Sequence, residues 1–173
     1  MTDLLDFAEI GRRTGLALRK LRYVADYDVL EKKYYVNADR AKTSHGVPRE
    51  FSVFSAFNVS LAAVLRGAGL SRGQVRAALG ILFAWAAPKG VPGPHPMLDA
   101  FAMFVNARSL ILEIGDNSSL RVLVDPAKPK GVSLLQPLMW TSLDRGTPMG
   151  EGHSPLCCTR VLLGELVRRL TTN

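Results

Sequence analysis

Nine residues, Pro88 to Pro96 (PKGVPGPHP), hold four prolines and two glycines. Each proline fixes φ and removes a backbone donor, so neither a helix nor a central strand runs through that density. Whatever this chain builds is therefore divided there. With 173 residues in all, each side is a small unit. The expected division is a domain at 1–86, a linker at 87–96 and a second module at 97–173.

Several classes are excluded early. No apolar run approaches the ~18–20 residues that span a bilayer, so no membrane partner is expected. Asp3, Asp6 and Glu9 stand where a secretory signal carries lysines. The two cysteines, Cys157 and Cys158, are adjacent and cannot staple the fold, which points to a cytoplasmic protein. His45, His95 and His153 are far apart and share no metal-ligand spacing, so no metal or other cofactor is expected.

Charge is distributed unevenly. The net charge is +7, and residues 1–85 carry 13 Lys/Arg against 8 Asp/Glu. The cations gather at Arg12, Arg13, Arg19, Lys20 and Arg22, then at Lys32, Lys33, Arg40, Lys42 and Arg49. Such a face suits a polyanion, whose phosphates release counterions when neutralised. It also suits a plain solvated surface.

Phe7 to Thr14 has helical spacing, with Phe7, Ile10 and Gly11 on one face. Gly15 supplies the left-handed cap. Leu18 to Tyr27 then places Leu18, Leu21 and Ala25 inward and leaves Arg19, Lys20, Arg22 and Tyr23 around the rest. Two short helices joined at a glycine are the sequence form of a helix-turn-helix, with the second helix carrying the basic side chains. From Glu31 to Glu50 periodicity is lost. Tyr34 to Val36 favour a short strand, and the segment reads as a basic hairpin or as a solvated loop. Helical spacing returns through Phe54, Phe57, Leu61, Val64, Leu65 and Ala68, with Ser52 or Ser55 as N-cap. Ser71 and Gln74 form a capping box for the next helix.

Three stretches in this order resemble the DNA-binding domain of the MerR superfamily: TGLALRKLRY (Thr14 to Tyr23), REFSVFSAF (Arg49 to Phe57) and LRGAGLSRGQVRAAL (Leu65 to Leu79). The resemblance covers residues 5–82. It implies a winged helix-turn-helix that binds double-stranded DNA, with RNA polymerase as a further partner. Arg19 and Lys20 then lie on the groove-facing side, Arg22 and Tyr23 hold phosphates, and Arg49 follows the wing. Arg13, Lys32, Lys33, Arg40 and Lys42 complete the expected DNA-binding set. Departures are also visible. Ala17 stands where the family has a capping serine, at a cost of about 1 kcal/mol. The family's dimerising coiled coil is broken here by the proline-rich stretch.

In the second half, Met97 to Val105 is apolar nearly all round and suits a short buried helix. SLILEI (Ser109 to Ile114) and LRVLV (Leu120 to Val124) form a hairpin, Cys158 to Leu163 a further strand, and Leu163 to Leu170 a terminal helix. The fold class expected is α+β: an N-terminal winged helix-turn-helix followed by a small α+β module with a β-hairpin and a C-terminal helix. That module is the candidate for homodimer pairing. An effector pocket near Phe104, Met139 and Trp140 is the rival role, and the adjacent cysteines make a poor zinc site. No phosphate loop, nucleophile elbow or zinc-protease motif is found, so no enzymatic activity is expected. The function expected is a sequence-specific, dimeric transcription regulator. An excisionase-like architectural DNA binder and a protein-interaction adaptor are the alternatives.

Overall fold

The computed structural model describes residues 4–35, 48–87, 98, 101–102, 104–105, 110–124, 138–150 and 155–172. Residues 36–47, which include Arg40, Lys42 and the expected wing, lie outside the described residues, as do residues 88–97 of the proline-rich stretch and the three histidines. The fold is α+β.

The order is β1 (Leu5–Asp6), α1 (Phe7–Thr14), α2 (Leu18–Asp26), a 3-10 turn (Lys32–Tyr34), β2 (Glu50–Phe51), α3 (Val53–Gly67), α4 (Arg72–Ala86), β3 (Leu110–Gly115), β4 (Ser119–Val124), β5 (Leu138–Ser142), β6 (Cys158–Leu162) and α5 (Leu163–Thr171). The described residues of 98–105 are helical. β1 and β2 form a two-stranded antiparallel pair, Leu5 opposite Phe51. The other four strands make one antiparallel sheet in the order β5-β4-β3-β6.

Local chemistry explains the boundaries. The Asp6 carboxylate caps α1 by accepting from Glu9 N at 2.7 Å. Ser52 caps α3, and Ser71 with Gln74 closes the expected capping box at α4. The β3–β4 hairpin turns through Asp116 to Ser118, with Ser118 left-handed at φ 55°. Gly115 is required at its base, since a Cβ there would lie 2.6 Å from Pro155.

One cluster of buried side chains runs from α1 to α5. α3 is its axis, buried on nearly every face from Phe54 to Leu65. Phe57 meets Phe101 and Phe104 at 5.3 and 5.7 Å between ring centroids, and Phe83 meets Phe104 at 5.4 Å. The sheet contributes Leu110, Leu112, Ile114, Leu120, Val122 and Val161. α5 packs Leu163, Leu166, Val167 and Leu170 into the same cluster and contacts α1, α3 and β3. On the other face of the sheet, the buried Glu113 accepts from Arg121 at 2.5 Å and from Arg160 at 2.6 Å. Arg121 also covers the Trp140 ring at 4.5 Å. Burial alone would raise the Glu113 pKa, but the two guanidinium hydrogen bonds outweigh it and hold the carboxyl below its ordinary value.

Two expectations are corrected. The segment at Tyr34 is a 3-10 turn and not a strand, with Tyr34 buried against Phe83. Leu18 is exposed, and Val24 takes the inward place on α2 beside Leu21 and Ala25. Among the described residues no helix is long and apolar enough to cross a membrane, and no cluster of three metal-ligating side chains occurs.

Candidate nucleic-acid interface

The site is built on the tight corner between α1 and α2. Gly15 adopts φ 77°, a conformation only glycine enters freely, and its N–H closes α1 on the Gly11 carbonyl at 2.8 Å. The chain turns here within three residues, and α2 runs with Leu21, Val24 and Ala25 against the core. Helical geometry then forces Arg19, Lys20 and Arg22 outward, and all three are exposed. No ion pair or side-chain hydrogen bond joins them to another described residue. Ala17 caps nothing with its side chain, as its chemistry requires.

Tyr23 is the pivot of this surface. Its ring stacks on Tyr27, one turn later, at 5.1 Å. Its hydroxyl accepts from Arg72 Nε at 3.2 Å and from Arg72 Nη2 at 3.0 Å. The guanidinium groups of Arg66 and Arg72 lie over the ring at 5.7 and 5.5 Å. The hydrogen bond from Arg72 comes first in drawing the phenol below its ordinary pKa, with the charges of Arg72 and Arg66 adding to it. Arg19, Lys20, Tyr23, Ala63, Arg66 and Gly67 line a hollow of about 300 Å³. Four cations from three helices thus gather around one tyrosine.

Arg66 and Arg72 were not among the residues expected from sequence. Arg66 lies in the last turn of α3 and Arg72 begins α4, forty and more positions from Tyr23, so no local pattern links them. Each is also fixed by the backbone: Arg66 donates to the Leu70 carbonyl, and Arg72 follows the Ser71 cap. The neighbouring Gln74 reaches from the same cap to Ser118 Oγ at 3.0 Å and Asp144 Oδ1 at 3.2 Å, tying the site to the sheet.

The other expected residues are placed differently. Arg13 is mostly buried, pairs with Glu9 at 2.5 Å and donates to the Leu170 carbonyl at 2.7 Å, joining α1 to α5. Glu9 also holds Arg12, and hydrogen bonds from Arg12 and then Arg13 lower its pKa to about 2. Arg49 donates to the Ala25 carbonyl at 3.2 Å and lies over Phe51 and Tyr35 at 5.1 and 5.3 Å, anchoring β2 to the end of α2. Lys32 and Lys33 are exposed on the 3-10 turn, Lys33 pairing with Glu31 at 2.8 Å. In the second module, Met139 is exposed, Trp140 lies under Arg121, and Phe104 packs between Phe57 and Phe83, so these three do not form one pocket.

Compared with protein-family models, with curated proteins and with solved structures, the chain matches none of them, so the chemistry of this cationic surface carries the functional reading.

Proposed function

We propose that the protein is a double-stranded DNA-binding transcription regulator that works as a homodimer through a MerR-like winged helix-turn-helix. The observation that carries this is the exposed α2 surface, where Arg19, Lys20 and Arg22 have no described protein partner and Tyr23 is braced by Arg66 and Arg72. A helix nine residues long with its apolar side buried and its cations outward has the dimensions of a major-groove reader. Tyr23 accepts from Arg72 and so keeps its own proton free to donate to a phosphate oxygen. Arg66 and Arg72 then neutralise phosphates on the strand beside the groove, while Arg19 and Lys20 reach base edges. The pairing of β1 with β2, which returns the chain beside α1, supports the winged form.

Fluorescence anisotropy with labelled duplexes tests this. With about four phosphate contacts per protomer, and so about eight for the dimer, affinity should fall by roughly 10,000-fold between 50 and 200 mM salt. Arg19→Ala should erase the preference for a selected site over random sequence, whereas Arg72→Ala should weaken binding to both alike. A uniform loss for Arg19→Ala would indicate the architectural alternative. No duplex binding at low salt would refute a DNA-binding role and favour the adaptor.

A further inference from the structure

The four-stranded sheet has two edges, and the chain treats them differently. The edge at β5 is covered by the segment that follows it. Ser142 N donates to Thr147 O at 3.0 Å, Met149 N to Trp140 O at 2.8 Å, and Thr141 bridges to Pro148. At β6 the described residues supply no such cover, and Cys158, Thr159, Arg160 and Leu162 are all exposed.

The direction of the open groups follows from the ladder. Asp116 N donates to Cys157 O at 3.1 Å, so 116 and 157 are a hydrogen-bonded pair in antiparallel register. Alternation makes Ile114 with Thr159, and Leu112 with Val161, the next bonded pairs. Cys158 and Arg160 therefore turn their backbone N–H and C=O groups away from β3, and Leu162 its N–H, while the Leu162 carbonyl, at the N-cap of α5, accepts the first bond of that helix. A charged side chain ordinarily guards such an edge against pairing. Here the single candidate, Arg160, is drawn back onto the buried Glu113 at 2.6 Å, a carboxylate it shares with Arg121.

We propose that β6 pairs antiparallel with β6 of a second copy about a twofold axis at Arg160, joining two four-stranded sheets into one of eight. This rests on the dimer in the reading above and names its surface. The strand is self-complementary in that register. Cys158 faces Leu162 of the second copy, whose N–H donates to the Cys158 carbonyl, and each Arg160 is held on its own Glu113, which it shares with Arg121, so the two guanidiniums are tethered within their own sheets. Leu162 is 54% exposed and Leu156, just before the strand, 98%. The same register sets Leu156 beside the start of the second copy's α5, giving both leucines cover. A twofold contact closes on itself and leaves no free edge for further growth.

Sedimentation equilibrium of the full chain without DNA should give a dimer, and Cys158→Pro should halve the apparent mass. Proline at 158 sets ring carbons on the outward side, against the second strand, and breaks no bond to β3, so circular dichroism should be unchanged. In Cys157→Ser/Leu162→Cys, the opposed pair has a Cα separation of about 5.5 Å, suited to a disulfide, and oxidation should yield a covalent dimer. Cys157→Ser/Cys158→Ser/Leu162→Cys should lose it. A wild-type monomer at every concentration, with or without a foreign strand on the edge, overturns the proposal. So does a dimer that survives Cys158→Pro and forms no cross-link. Duplex binding recorded on the same samples separates the two ideas: a dimer that ignores DNA leaves this interface standing, and a DNA-binding monomer does the reverse.

Discussion

Tyr34 shows how a single side chain can be wrong for its surroundings and still hold them together. Its ring is fully buried against Phe83, its carbonyl accepts from Asn58 Nδ2 at 3.1 Å, and its hydroxyl has no hydrogen-bond partner among the described residues. Tyr34→Phe keeps the ring and removes the stranded hydroxyl, so stability should rise by about 1 kcal/mol, read from urea denaturation at neutral pH. Burial, with the Glu31 carboxylate adding to it, pushes the phenol up to about 12. The unfolded phenol ionises near about pH 10, so the folded chain holds the extra proton and stability falls between pH 10 and pH 12. Tyr34→Phe should flatten that alkaline decline; an unchanged decline would mean that the hydroxyl reaches water. None of this was legible in sequence, where Tyr34 and Tyr35 read as strand formers. β-propensity describes a half-buried pleated surface, and a site against α3 and α4 overrides it.

Elements were more legible than their faces. Helix ends declared themselves through side chains that satisfy orphan backbone groups within three residues, which is why Ser52, Ser71, Gln74 and Gly15 stand where local chemistry placed them. The inward face of α2 was harder. Three apolar positions at helical spacing admit more than one rotation for a helix of nine residues, and the packing against α3 chose Val24 over Leu18. Ala17 gives a direct test of the element. Serine there should accept from a first-turn N–H of α2 and add about 1 kcal/mol, a rise in melting temperature of roughly 2–4 °C. If α2 reads DNA as a rigid rod, the same change should leave site preference intact. A variant less stable than wild type would show that the corner before α2 cannot admit the hydroxyl.

At the scale of the whole molecule, the terminal helix binds the two sides of the proline-rich stretch together. α5 sets Leu170 into the cluster beside α1 and α3, and Arg13 holds its last turn by the Leu170 carbonyl. Leu170→Ala should cost about 3 kcal/mol, the ordinary penalty for emptying a fully buried leucine site. Trp85 on α4 and Trp140 on β5 report from opposite sides of the linker. Single-tryptophan variants, Trp140→Phe and Trp85→Phe, should unfold with the same midpoint, and Leu170→Ala should lower both together. Two separated transitions would mean that the halves fold independently. The sequence by itself determined the helix caps, the hairpin at 115–119 and the clustering of cations on α2, because each follows from interactions within a few residues. Only the tertiary structure decided that Arg66 and Arg72 join Tyr23, that Arg13 and Arg49 serve as internal anchors, and that β6 is a sheet edge without cover among the described residues. Those depend on contacts between residues far apart in the chain, and no local periodicity encodes which distant surface a side chain will meet.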